Sequence, residues 1–308
     1  MIPLCSSRSI TASLPITTIV LVTILTFSSM PTPASSQYNA CKTSCGGIPV
    51  HYPFGTGPGC GSPQFQPYVT CDPQQGLTFT THSGTYPIQS VDYANQILYI
   101  RDPSMSSCAC TSPSSGFGLD WDAPFTFLDG SVFALLGCSP AITSPDYYTN
   151  SSGGNGPLCD TSSSVCSLLY SCPAVGQQLA APAPTCCVYA PVSLGPSFDI
   201  DLKKLQCGGY AGIYSFGGQE SDPRQWKFGI AVKYKFSVDN VFPRACANCE
   251  KSNGACGYTA GELGAFTCNC PNGLNTSSDC FFMASYHSGV EERSSTTPRL
   301  GLAMGKYL

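Results

Sequence analysis

Trp226-Lys-Phe-Gly-Ile-Ala-Val-Lys-Tyr-Lys-Phe-Ser-Val238 alternates apolar with small or polar residues over its whole length. Successive side chains of an extended chain point to opposite sides. Trp226, Phe228, Ile230, Val232, Tyr234, Phe236 and Val238 therefore share one face, and Lys227, Gly229, Ala231, Lys233, Lys235 and Ser237 share the other. The pattern predicts a long half-buried strand with a basic outer face. The most regular segment of the chain thus has the strand period of two, not the helical 3.6.

The flanking sequence repeats this reading. Ile48–Phe54, Phe65–Cys71, Leu77–Thr80, Tyr86–Val91 and Gln96–Ile100 are short apolar runs about ten residues apart, with Gly, Pro, Asp and Asn between them. Phe125–Leu136 reads as a hairpin turning at Asp129-Gly130. Asp199–Gln206, ahead of Gly208-Gly209, has the signals of a short helix. Residues 143–164, rich in Ser, Thr, Gly, Asn and Pro, predict a long exposed loop.

From Cys246 the pattern becomes Cys246-x2-Cys249-x6-Cys256-x11-Cys268-x-Cys270-x9-Cys280. So short a stretch cannot rest on an apolar core and must be held by bridges. The expected fold class is all-β and disulfide-rich: two small β modules with long loops (37–111 and 112–245), then a Cys-rich module (246–280). A leader (1–36) precedes them and a disordered tail (281–308) follows.

Composition agrees. Of 308 residues, 31 are Gly and 26 Pro, which break helices, while 16 Phe, 16 Tyr and 2 Trp supply bulk for a core. A hydrophobic content of 42 % with a net charge of −4 does not describe a disordered chain.

The start of the chain carries Arg8 and an uncharged run from Ile10 to Met30, then small residues to Ser36. This is the layout of a secretory leader, with cleavage expected near Ser36; the alternative is an uncleaved membrane anchor. Twenty Cys suit an oxidising compartment. Removing Cys5 with the leader leaves an odd number, so one thiol is expected to be unpaired or to bridge another chain. Asn150-Ser-Ser and Asn275-Thr-Ser are acceptor triplets for N-linked glycan.

The same compartment argument sets aside metal. Cys246-Ala-Asn-Cys249 and Cys268-Asn-Cys270 have zinc-like spacing, but export consumes thiolates in bridges, so no metal and no cofactor is expected. Only His51, His82 and His287 are present, without a nucleophile elbow or a His-Glu-x-x-His pair. Asp120 and Asp122 flank Trp121, a trio that suggests a sugar site, and the pair is the candidate for glycoside hydrolysis. Carboxylates two apart in a loop are more often a solvated turn, and a non-catalytic protein is expected.

Charge is unevenly placed. Residues 41–200 hold two basic side chains, Lys42 and Arg101, against nine Asp, which disfavours nucleic acid. Between 202 and 251 lie Lys203, Lys204, Arg224, Lys227, Lys233, Lys235, Arg244 and Lys251 against Glu220, Asp222, Asp239 and Glu250. An extracellular polyanion such as an acidic polysaccharide is the natural counter-charge, with Lys227, Lys233 and Lys235 as its expected contacts. Strand lysines can also serve only to solubilise and to block edge pairing.

Two motifs have a family likeness. Cys41 opens the first; Cys45-Gly46, Ile48-x-x-His-Tyr-Pro-Phe54, Cys60-Gly61-Ser-Pro-x-Phe65 and Cys71 resemble the galacturonan-binding domain of plant wall-associated receptor kinases. The second, Cys246-x-x-Cys249-Glu-x-Ser-x-Gly-x-Cys256-Gly257 then Phe266-Thr-Cys268-x-Cys270-Pro-x-Gly273, resembles the associated C-terminal extracellular domain, EGF-like in its closing turn. The resemblance implies a pectin-sensing ectodomain in the cell wall. It also implies Tyr52 and Phe54 as aromatic residues that could stack on a sugar ring or form a core corner. The family's membrane helix and kinase are not seen before Leu308, so the expectation is a secreted, receptor-like form. It binds wall galacturonan and competes with, or docks on, membrane receptors of the same family. The alternative function is a protein-interaction ectodomain for a peptide or receptor.

Overall fold

The structure, a computed structural model, describes residues 41–139, 160, 162–179, 186–191, 199–259 and 264–281. The expected leader, Asn150, most of the 143–164 loop and the tail beyond Phe281 lie outside the described residues.

The chain opens with a two-residue ladder of β1 (Ser44–Cys45) and β2 (Ile48–Pro49). An antiparallel meander follows: β3 (Val69–Asp72), β4 (Gly76–Thr81), β5 (Gly84–Asp92) and β6 (Ile97–Ile100). Next come β7 (Phe125–Phe127), β8 (Val132–Leu136), α1 (Ser164–Ser171), α2 (Pro173–Leu179), β9 (Cys186–Tyr189) and β10 (Gly209–Ser215). The chain continues through β11 (Lys227–Phe228), β12 (Ile230–Tyr234), α3 (Arg244–Lys251), β13 (Ala255–Tyr258), β14 (Phe266–Asn269) and β15 (Asn275–Thr276). The fold is all-β and disulfide-rich, with three short helices among the described residues.

Two sheets carry the core. One has six strands in the order β3-β4-β5-β6-β12-β7, the other four in the order β11-β10-β8-β9. The boundary expected at residue 111 runs through the larger sheet: β3 to β6 precede it, while β7 and β12 follow it.

The segment 226–238 is not one strand. β11 pairs with β10 in the smaller sheet; β12 pairs with β6 and β7 in the larger. The chain changes sheets at Gly229, which has φ +148° and donates its N–H to the Gly212 carbonyl at 3.0 Å. A side chain there would sit 3.1 Å from the Ile100 carbonyl oxygen. A break of this kind is how strands turn the corner between packed sheets. The basic face is accordingly interrupted: Gly229 and Ala231 are buried, and on the apolar side Val238 is 97 % exposed.

The same crossing overturns the expected hairpin at 125–136. Asp129-Gly130 does form a turn, but it sends β7 into the six-stranded sheet and β8 into the four-stranded one. Nor is 199–206 a helix. Asp201 Oδ1 accepts the N–H groups of Lys203 and Lys204 at 3.0 and 3.1 Å, closing a turn that competes with helical bonding.

The larger sheet packs through aromatic edges. Phe79 meets Phe125 with centroids 5.0 Å apart, Phe125 meets Phe65 at 5.5 Å, and Phe54 meets Tyr234 at 4.9 Å. Helices α1 and α2 cover the smaller sheet around Val175, Leu169 and Trp226.

Candidate functional site

The C-terminal module is built on cystines. Cys246–Cys256, Cys249–Cys268 and Cys270–Cys280 are its bridges, and Tyr52 is the one buried residue from outside the module in their cluster. Helix α3 puts Cys246 and Cys249 on one buried face, as i, i+3 spacing requires. It ends at Ser252; Asn253 then takes φ +62° and the Gly254 N–H donates to the Cys249 carbonyl. A Cβ on Gly254 would lie 2.4 Å from Cys268 Sγ and 2.7 Å from Cys249 Sγ, so only glycine passes the sulfurs.

This module is docked on the first domain by backbone bonds. Gly61 N–H donates to the Cys256 carbonyl at 2.7 Å, Tyr258 N–H to the Gly59 carbonyl at 3.2 Å, and Cys60 bridges to Gly257 in antiparallel fashion. The 59–61 segment is held by Cys41–Cys60, while Cys45–Cys71 ties the first ladder to β3. Where the two regions meet lies a crevice of about 570 Å³.

One wall of the crevice carries Lys42, Thr43, His51 and Thr56; the other carries Glu250 and Asn253. Thr56 Oγ1 accepts the Lys42 N–H at 2.8 Å and donates to the Lys42 carbonyl, fixing that backbone and leaving the ammonium exposed. His51 is likewise set by its backbone: its N–H donates to the Tyr93 hydroxyl at 2.9 Å, and its ring meets the Tyr93 ring edge-on at 5.0 Å. Burial pushes the Tyr93 hydroxyl up to about 12, so it stays a neutral link. Glu250 is half-buried and accepts only a long bond from the Tyr52 N–H, 3.4 Å. Burial raises its pKa above the usual carboxylate range, a trend that the Tyr52 N–H and nearby His51 oppose.

The expected contacts fall elsewhere or inward. Tyr52 and Phe54 touch the crevice but are 6 % and 3 % exposed. Tyr52 stacks on Phe236, and its hydroxyl lies 3.5 Å from that of Tyr258; Phe54 packs in the aromatic core. Neither ring offers a face for stacking, so these residues form the core corner. Lys227 lies on the edge strand of one sheet and Lys233 on an inner strand of the other, next to its edge; Lys233 Nζ is 3.2 Å from Asp129 Oδ2. Lys227, Lys233 and Lys235 are therefore not one ribbon.

All ten cysteines expected in bridges, Cys41, Cys45, Cys60, Cys71, Cys246, Cys249, Cys256, Cys268, Cys270 and Cys280, are in them. No described cysteine is free, so an odd thiol is not found among the described residues. The sulfurs of Cys268, Cys270 and Cys280 converge, as do Cys246, Glu250 and Cys256, yet each sulfur is already in a bridge and offers no thiolate to a metal. Asn275 is exposed at the start of β15, open to a glycan.

Asp120 and Asp122 are engaged separately. His82 Nδ1 is 2.6 Å from Asp120 Oδ1, and the Tyr68 hydroxyl donates to Asp122 Oδ1 at 3.3 Å. Trp121 between them is 76 % exposed.

The chain is thus disulfide-rich and mostly β, with a crevice between two bridged regions. Residues 41–102 match the family model described as wall-associated receptor kinase galacturonan-binding and residues 213–273 the one described as wall-associated receptor kinase C-terminal. Wall-associated receptor kinase-like 20 of Arabidopsis thaliana is 24 % identical over 241 residues, 75 % of this chain and 34 % of that protein. Wall-associated receptor kinase 2 of Arabidopsis thaliana is 32 % identical over 106 residues, 32 % of this chain and 13 % of that protein. The chain thus spans about a third or less of the length of these relatives. No solved structure matches it. No described helix is long and apolar enough to cross a membrane.

Sequence reading missed the crevice because its residues are some two hundred positions apart. It also missed α3, whose signal is the i, i+3 spacing of Cys246 and Cys249, a spacing that reads equally as that of bridges or of zinc ligands.

Proposed function

We propose that this chain is an extracellular, receptor-like protein of the plant cell wall that binds the galacturonan of pectin and does not cleave it. One observation carries the reading: every residue lining the crevice belongs to one of the two matched stretches, 41–102 or 213–273. Its volume falls in the roughly 300–1,000 Å³ range of small-ligand sites. Glycoside hydrolysis needs two carboxyl groups across a substrate, whereas this crevice is lined by one, Glu250. Export through the 1–36 leader, glycan on Asn150 and Asn275, and docking on membrane receptors of the same family belong to the same proposal.

The test is retention on homogalacturonan at rising salt and at several degrees of methyl esterification. Expected are binding to the de-esterified polymer, loss of that binding with added salt because exposed charge pairs are screened, and no release of shorter sugars. Retention indifferent to both salt and esterification contradicts the proposal. A second reading, a protein-interaction ectodomain, draws on the exposed Trp121 and Val238. It predicts partners that stay bound after pectinase treatment.

A further inference from the structure

We infer that the crevice is where the uronide is read: Lys42 and His51 take a sugar carboxylate, and Glu250 opposite makes that capture stronger in acid. This inference rests on the galacturonan reading above and adds to it the place, the groups and their regulation.

Position comes first. Lys42 is one of two basic side chains between residues 41 and 200, a stretch otherwise acidic. Its backbone is fixed by Thr56, and no described carboxylate pairs with its ammonium. Lys233, by contrast, is already paired with Asp129. A cation placed beside a concave, partly desolvated pocket and lacking a partner is the group that an incoming anion satisfies at least cost. His51 stands on the same wall and offers ring N–H to a carboxylate oxygen. Thr43, Thr56 and Asn253 complete the lining with groups suited to sugar hydroxyls.

Glu250 sets the pH dependence. The titratable groups facing it are His51 and Tyr93 from the first domain, with Lys42 across the crevice; the Cys246–Cys256 bridge beside it does not titrate. Ionised, Glu250 repels a uronate. Protonated, it donates a hydrogen bond to one. Its pKa is raised by burial, so the protonated form persists to higher pH than for an exposed Glu. A sugar acid keeps its own charge down to about pH 4. Affinity is therefore greatest in mild acid, where ligand carboxylate and neutral Glu250 coexist, and falls as pH rises and Glu250 ionises.

The experiment is calorimetric titration of the full chain with trigalacturonate, and with its methyl ester, at pH 5 and pH 7.5. The variants are Lys42→Gln, His51→Gln, Glu250→Gln, Thr43→Trp to fill the mouth, Lys203→Gln as a charge-loss control and Lys227→Gln/Lys235→Gln for the rival strand. Expected are about threefold weakening from Lys42→Gln and from His51→Gln at pH 5 and about tenfold from both together. Thr43→Trp blocks binding, Lys203→Gln leaves it unchanged, and Glu250→Gln raises affinity at pH 7.5 and flattens the pH dependence. The methyl ester binds weakly throughout.

If wild type binds trigalacturonate but the Lys42, His51 and Thr43 variants, folded by their melting curves, bind equally well, the crevice assignment is overturned and the galacturonan reading stands. Binding lost only in the Lys227/Lys235 variant overturns it in favour of the strand. Wild type that binds no uronide at either pH removes both.

Discussion

The six-stranded sheet and the C-terminal module are held together by opposite means. At the heart of the sheet, Phe65, Phe79, Phe125 and Tyr234 are nearly inaccessible and meet edge to face, so burial of large rings supplies the stabilisation. In the module, six of the seven residues of the buried cluster are half-cystines. There the bridges restrict the unfolded chain, and apolar burial adds little. The crevice lies beside the module, against the 41–61 segment, which Cys41–Cys60 and Cys45–Cys71 pin, so both of its walls are fixed by bridges, the first of them tied by Cys71 to the packed sheet.

The comparison can be broken from either side. Phe79→Ala, which empties a fully buried ring site, is expected to destabilise the sheet by about 3–5 kcal/mol in chemical denaturation while the module's bridges still form, as peptide mapping would read. Cys249→Ala/Cys268→Ala removes a bridge spanning 19 residues and costs the module about 3 kcal/mol. Amide exchange should then speed up in α3 and β13–β14 while β4 to β6 keep their protection. Equal loss of protection in both regions would mean that they unfold as one unit.

The smallest effect sharpens the account of the sheet side alone. His82, in the turn between β4 and β5, has its pKa raised by its hydrogen bond to Asp120, a rise that burial opposes and Asp199 supports. A raised histidine contributes stability that is complete below its ordinary range and is lost as pH rises through the folded value. With the ring half exposed, the contribution is that of a surface pair, below about 1 kcal/mol. His82→Gln should shrink the difference in Tm between pH 5.5 and pH 8 and leave the module's exchange unchanged.

How much of this was legible follows from the same contrast. Alternation at Trp226–Val238 identified extended chain and its apolar face. It could not show that Gly229 transfers the chain from one sheet to the other, because that depends on Gly212 and Ile100 arriving from elsewhere. Phe125–Leu136 misled for the same reason: Asp129-Gly130 makes a turn, but local sequence does not say which sheet each arm joins. Cysteine spacing revealed the module and left its pairing open. Among site residues, the motif that drew attention to Tyr52 and Phe54 marks a core corner, while His51 beside them points its chemistry into the crevice. Glu250 gained meaning only when α3 was docked against residues 51–61.

Amide exchange with and without trigalacturonate at pH 5 tests the central claim most directly. The account predicts slowed exchange in two separated stretches, 41–61 and 244–257, and none in 226–238. Protection confined to 226–238, or spread evenly over the chain, would contradict it.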